Sequence, residues 1–196
     1  MIENFDKILK SDTQKERFSD WVDRLDTKSN SLDSKIDNTF AKDILSGFLP
    51  TGGKWEGEKG RSVWTPDPDI KPDPENKKNG NPNNLTWGEI LKKYDVTGIE
   101  YEDGYPIFDP FVPEINGEKA EVEIENFTTD RNKNFAAADK ALAEKVGMKP
   151  EEIHQYRKDN NFTWHECEDC KTMQLVPTEI HNNVPHKGGI SVAKQQ

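Results

Sequence analysis

No stretch of this sequence approaches the roughly 20 consecutive apolar residues that a bilayer-spanning helix needs. Its opening, Met1-Ile2-Glu3-Asn4-Phe5-Asp6, has neither the basic start nor the apolar stretch of a signal peptide. A soluble chain is expected. Cysteine is nearly absent: Cys167 and Cys170 are the only two, three positions apart, which excludes a stabilising disulfide framework and leaves metal binding, redox chemistry or an incidental pair of thiols. Hydrophobic residues are scarce at 32% of 196, against 33% charged, and mean hydropathy is -0.98. The core must therefore be small for the chain length, with long solvated loops and two parts rather than one globule.

Positive charge is also in short supply. The formal net charge of -10 argues at first against nucleic acid, since an acidic surface repels a polyanion. The charge is unevenly spread, however. From Arg131 onward ten Lys or Arg face nine Asp or Glu, so residues 1–130 carry eleven excess negative charges. A C-terminal site with an intense local cation remains compatible with phosphate binding.

Residues 1–49 repeat apolar side chains at helical spacing, Phe18, Trp21, Val22 and Leu25, then Leu32, Ile36, Phe40, Ile44 and Phe48. This pattern predicts two helices, ended by Gly47, Pro50, Gly52 and Gly53. They form an amphipathic pair suited to packing, with nothing catalytic visible. Residues 66–84, PDPDIKPDPENKKNGNPNN, hold five prolines and few apolar groups and predict a mobile surface loop. Val122-Glu123-Ile124-Glu125 alternates as a short strand. The run TTDRNKNFAAADKALAEKVG predicts a helix with Phe135, Ala138, Leu142 and Val146 on one face and Gly147 as its stop. Lys149-Pro150-Glu151-Glu152 starts another short turn, and no internal repeat is present.

The chemistry concentrates in residues 162–189, FTWHECEDCKTMQLVPTEIHNNVPHKGG, which contain three of the four histidines and both cysteines. Two groupings compete. Cys167 and Cys170, ten residues, His181, four residues and His186 approach the spacing of a structural Cys2His2 zinc site. That grouping predicts a closed, non-catalytic module, but Pro177 interrupts the helix a finger places there and Trp164-His165-Glu166 has no task. The second grouping takes His165, His181 and His186 as three neutral imidazoles with coordination positions left open for phosphate and water. It requires a strand-turn-strand presenting His165-Glu166, then a helix from near Pro177 that presents His181 and ends before His186, at Pro185.

The stretch TWHECEDCKTMQLVPTEIHNNVPHKGG resembles the catalytic motif of the HNH/Endonuclease VII superfamily toxins, marked by Trp-His-His or Trp-His-Glu, Met-Gln-Leu-Val-Pro, His and His-x-Gly-Gly. The pieces GKWEGEKGRSVW, DGYPIFDPF and DRNKNFAAAD resemble the lead-in of such domains, so the likeness spans residues 50–193. It implies an α+β fold with a ββα-metal, treble-clef-like core behind an irregular extended lead-in, and a nuclease domain over 50–196 following the helical extension 1–49. It also implies one divalent ion cutting phosphodiesters in DNA, with RNA as the alternative substrate. A dedicated immunity protein and delivery by a specialised system, as in LXG-type bacterial toxins, belong to the same expectation, with action in the target-cell cytoplasm.

His165, His181 and His186 carry over as metal or active-site positions. Glu166 stands where the Trp-His-His form has its general base; the alternative makes His165 the base and Glu166 a ligand. Neighbouring strand residues point to opposite faces, so the sequence leaves that choice open. Zinc or nickel suits three imidazoles, and magnesium or manganese becomes admissible with a carboxylate ligand. Arg131 either grips the scissile phosphate or pairs with Asp139 or Asp130. Lys59 and Arg61 read as a solvated turn, His154 as a surface or packed residue, and Trp164, Met173, Leu175 and Val176 as core. In DGYPIFDPF an acidic residue is expected after Tyr-Pro, where Ile107 stands, and Asp109 is the available substitute.

Overall fold

The computed structural model describes residues 48–194, so the expected helices of the N-terminal extension lie outside the described residues, Phe48 and Leu49 excepted. The described part is mixed α+β. Four short antiparallel strands, β1 (Lys54–Trp55), β2 (Val63–Thr65), β3 (Ile99–Glu102) and β4 (Tyr105–Pro106), form the first sheet in that order. Between β2 and β3 run loop 66–84 and helix α1 (Trp87–Lys93). Thr86 and Glu89 close the start of α1 reciprocally, each side chain bonded to the other's backbone N–H, which satisfies two donors that the first helical turn leaves open. Trp64, Trp87, Ile90, Ile99, Tyr101 and Phe108 fill a first core, with Trp64 edge-on to Trp87 at 5.7 Å.

After a 3-10 turn at Asp109–Phe111 and the small hairpin of β5 (Glu114–Ile115) and β6 (Glu118–Lys119), a second sheet forms. It comprises β7 (Glu121–Glu123), β8 (Phe162–Glu166) and β9 (Thr172–Pro177), antiparallel in the order β7-β9-β8. Two helices separate β7 from β8. α2 (Arg131–Val146) takes Asp130 as its cap, the carboxylate accepting from the Asn132 and Lys133 N–H groups, and stops at Gly147 in the left-handed region. α3 (Pro150–Asp159) is a helix where the sequence suggested only a short turn. Pro150 sits at the first helical position, where its missing N–H costs nothing, and Glu152 accepts from the Lys149 N–H, so the residues expected to start a turn start a helix. Ala138, Leu142, Val146 and Ile153 pack on Trp164, Met173 and Leu175 as a second core, with Phe135 partly buried beside them.

Strand β9 serves both cores. Its side chains alternate, sending Met173 and Leu175 to the α2–α3 side and Val176 to the first core. Beneath β8, Asp139 of α2 accepts two bonds from Arg157 of α3 at 2.7 and 2.8 Å and a third from the Trp164 indole N–H at 2.8 Å. Asp139 and Arg157 are both buried, so this one carboxylate ties two helices to the strand that carries His165. The partner the sequence offered for Asp139 was Arg131; burial gives it Arg157 instead.

Removing one partner of a buried pair strands the other charge, whereas an exposed pair is worth about 0–1 kcal/mol. Asp139→Ala is expected to lower unfolding free energy by about 3–5 kcal/mol in urea titrations. Arg61→Ala, which breaks the exposed Arg61–Asp103 pair, should cost less than about 1 kcal/mol. Equal effects from the two variants would contradict the assignment of Asp139 as the buried anchor.

Candidate metal centre

Three of the chain's histidines meet at one point. His165 comes from β8, His181 is the last residue of α4 (Thr178–His181), and His186 follows in the next turn. One ligand nitrogen from each lies within 4.8 Å of the others. The helix ends before His186, as expected, but already at His181 rather than at Pro185. Pleating explains which residues converge. Trp164 and Glu166 pair across the hairpin with Leu175 and Met173 on the α2 side, while His165 pairs with Gln174 and faces the other way. There Phe108 lies edge-on to His165 at 4.8 Å and to His186 at 5.3 Å, an apolar floor under the rings. The Tyr101 hydroxyl donates to the Pro185 carbonyl at 3.0 Å and holds the turn that presents His186.

The hydrogen bonds orient the imidazoles. His186 Nδ1 lies 2.7 Å from the Val184 carbonyl, which only accepts, so Nδ1 carries the proton and Nε2 keeps its lone pair. His181 Nδ1 stands 3.3 Å from Asn182 Oδ1, and the Asn182 amide nitrogen is committed to the Lys78 carbonyl, so the same tautomer results. His165 Nδ1 and His181 Nε2 are 3.4 Å apart. Two nitrogens sharing a tetrahedral ion at about 2.0–2.1 Å lie roughly 3.3–3.4 Å from each other. Burial, with the neighbouring histidines, holds His165 well below the usual imidazole range; burial and His186 lower His181 to about 3, and burial lowers His186. All three are neutral at pH 7, the form that binds metal. The donor set fits a divalent ion with open positions.

The Cys2His2 grouping fares differently. Among the described residues neither cysteine joins the histidine cluster. Both are free thiols in the β8–β9 turn, where Cys170 has φ 55° and its sulfur approaches the Gly189 carbonyl at 3.4 Å. Burial, then Glu168 and Asp169, pushes the Cys167 thiol far up.

Glu166 is buried, yet both carboxylate oxygens are engaged from α2: Arg131 Nε donates at 3.1 Å and Asn134 Nδ2 at 2.8 Å. Residues three apart share a helix face, so α2 presents both donors together. Arg131 thus pairs with neither Asp130 nor Asp139. As the first helical residue it places a cation where the helix dipole favours an anion, a cost of a few tenths to about 1 kcal/mol that Glu166 offsets. His154 is half-exposed beside Asp139, and Arg61 pairs with Asp103 in a solvated turn. Asp109 accepts from Lys119 and Gln174 and is not a member of the histidine cluster.

The cluster opens into a cavity of about 460 Å³ whose walls carry Lys78, Arg131 and Lys194 as cations and Glu166 as the lone acid. Sequence reading did not single out Phe108, Asn134, Asn182, Lys78 or Lys194. Phe108 lies within DGYPIFDPF, which reads for polar contacts, Asn134 within DRNKNFAAAD and Asn182 within the histidine motif, whereas Lys78 and Lys194 lie in no stretch that points to the site. The paired glycines of His-x-Gly-Gly have a steric reason: a Cβ at Gly189 would sit 2.3 Å from the Cys167 carbonyl oxygen, so only glycine lets α5 (Gly189–Ala193) close against that turn.

A cluster of neutral imidazoles, His165 buried and His181 and His186 half-buried, opening to a cation-walled cleft in an acidic chain, defines a candidate metal centre for an anionic substrate. Residues 98–188, which contain all three histidines and Glu166, match the family described as the DNase/tRNase domain of colicin-like bacteriocin. The match supports a nuclease toxin domain. No curated protein matches the chain.

Histidines whose folded pKa is depressed stabilise the fold above the unfolded value near 6.5, and that contribution is lost as pH falls from there toward the folded value, about 3 for His181. In chelator, the urea midpoint is therefore expected to fall continuously below pH ~6.5, each such histidine adding a slope of up to about 1.4 kcal/mol per pH unit. A midpoint that stays flat between neutrality and pH ~5 would show that these imidazoles titrate normally.

Proposed function

We propose that residues 50–196 form a metal-dependent endonuclease toxin domain that hydrolyses phosphodiester bonds of DNA, with β8, β9 and α4 as a ββα-metal core of the HNH type. The observation that carries this reading is the convergence of His165, His181 and His186, all neutral, at the base of a cation-walled cleft. RNA, tRNA included, is the competing substrate, because the family description covers both activities.

His165, His181 and His186 would hold one divalent ion, zinc or nickel being the natural match to three imidazoles, with magnesium or manganese as the alternatives. Bound there, the ion would supply Lewis-acid stabilisation of charge on the phosphate and the leaving oxygen. Glu166 lines the same cleft as the imidazoles but stands outside their cluster, with its oxygens bonded to Arg131 and Asn134, which favours general base over ligand. It takes the proton of the attacking water. Arg131 reaches the cleft with a side chain 61% exposed and neutralises the phosphate with the guanidinium donors that its Nε bond to Glu166 leaves available. Phe108 keeps one side of the cluster dry. The resemblance to colicin-like and LXG-type toxins supports an immunity protein as partner and delivery from one cell into the cytoplasm of another; among the described residues no helix is long and apolar enough to cross a membrane.

Plasmid DNA and total RNA incubated with the protein, with and without chelator, test the reading: DNA should be cut, and chelator should stop the cutting. Cleavage of RNA alone would move the activity to the competing substrate, and cleavage of neither would end the proposal. His181→Ala and His186→Ala should each lower metal affinity and turnover together; wild-type activity at limiting metal in either variant would contradict the three-histidine site. Glu166→Gln should lower turnover by about 10²–10⁴-fold while metal affinity stays near wild type. Glu166→His, which restores the Trp-His-His form, should recover part of it. A parallel fall in metal affinity in Glu166→Gln would make Glu166 a ligand.

A further inference from the structure

Loop 66–84 has no helix or strand, yet polar bonds shape it closely. The Asp73 carboxylate accepts from the backbone N–H groups of Lys77, Lys78 and Gly80 at 2.9–3.1 Å. Asn81, 3% exposed, bridges the loop ends through the Pro72 carbonyl and both backbone groups of Leu85. Two adjacent asparagines after α4 then fasten the loop to the metal centre. Asn182 Nδ2 donates to the Lys78 carbonyl and Asn183 Nδ2 to the Gly80 carbonyl, each at 2.7 Å. The backbone of Gly80 comes so near that a Cβ there would stand 2.9 Å from Asn183 Nδ2.

The result is directional. Lys78 lines the histidine cleft, while its neighbour Lys77 pairs with Glu75 at 2.6 Å and is not part of the cleft wall. Lys194, beyond α5, lines the same cleft. Both lysines lie outside the matched residues 98–188. Asn182 also faces His181 through its Oδ1, so one amide links the position of the loop to the orientation of a histidine in the cluster. In a chain of net charge -10, the cations at this cleft are the local exception.

We infer that loop 66–84 is a substrate-binding arm, in which Lys78, with Lys194, grips phosphates flanking the one held at the histidines, and Asn182 registers that grip to the metal centre. The inference rests on the nuclease reading and deepens it: the substrate is a polynucleotide strand continuing past the cleaved phosphate, not a mononucleotide. Each lysine that neutralises a phosphate releases condensed counterions and so contributes a defined share of the salt dependence of binding.

The test uses the full chain in chelator, so that nothing is cut, with a short fluorescein-labelled DNA duplex titrated between ~50 and ~200 mM KCl. Lys78→Ala and Lys194→Ala should each weaken binding and reduce the slope of log K against log salt by about 0.9. Lys77→Ala removes an equal charge one residue away and should leave the slope unchanged. Asn182→Ala keeps every charge but frees the Lys78 carbonyl, and it too should reduce the slope. A Lys78→Ala variant with the wild-type slope and affinity overturns the arm while the nuclease reading stands, provided the protein still cuts DNA when metal is restored. A protein that neither binds nor cuts overturns both.

Discussion

Three consecutive buried residues, Trp164, His165 and Glu166, set the terms for the rest of this structure. A strand sends successive side chains to opposite faces, so Trp164 enters the helix-covered core, His165 turns to the opposite face and Glu166 returns to the helix side at the strand end. Helix α2 holds the outer two, Trp164 through Asp139 and Glu166 through Arg131 and Asn134, while His165 is held by Phe108 and the other two histidines. A register slip of one residue would exchange the two faces, turning Trp164 and Glu166 toward the imidazole side and His165 toward the helix-covered core. The Asp139–Arg157 pair opposes that slip, because its third bond comes from the Trp164 indole N–H and is lost when Trp164 turns to the other face.

The site's electrostatics follow from its burial. Three imidazoles packed against an aromatic ring and against one another disfavour protonation, which keeps their lone pairs free but leaves the metal-free fold sensitive to acid. A bound ion reverses that liability: at a concentration one hundred times its Kd it would add about 2.7 kcal/mol to the stability of the folded state. Site formation and stability are therefore one problem in this domain. The same burial separates the roles of the two groups that the motif places side by side, since Glu166 has its hydrogen-bonding capacity drawn off by α2 while His165 is left to its fellow histidines.

Much of this was legible in the residues. The helix ending at Gly147, the short strand near Val122 and the core positions Trp164, Met173, Leu175 and Val176 follow from periodicity and capping, because each signal is local, whereas spacing alone left the three histidines in competition with a Cys2His2 set and the family resemblance favoured them. Helix α3 continues where only a short turn is expected, because its length rests on Ile153 packing into the second core, which the residues around Pro150 do not announce. The mispairing of Arg131 and the silence of Lys78, Asn134 and Asn182 have another cause. Their partners lie 35, 104, 32 and 104 positions away, counting Asn182 with Lys78, and no local pattern carries such distances.

By itself, the sequence determined that the chain has a small core for its length, that its acidity lies before residue 131, and that its chemistry sits in one stretch rich in histidine. These depend on composition and on spacing within a few turns of chain. Tertiary structure alone decided that the cysteines stay out of the site, that Glu166 answers to α2, and that a proline-rich loop brings a lysine to the histidines of an otherwise acidic protein. Those outcomes depend on which face of a strand a side chain takes and on which distant segment packs against it, and burial settles both only when the whole domain closes.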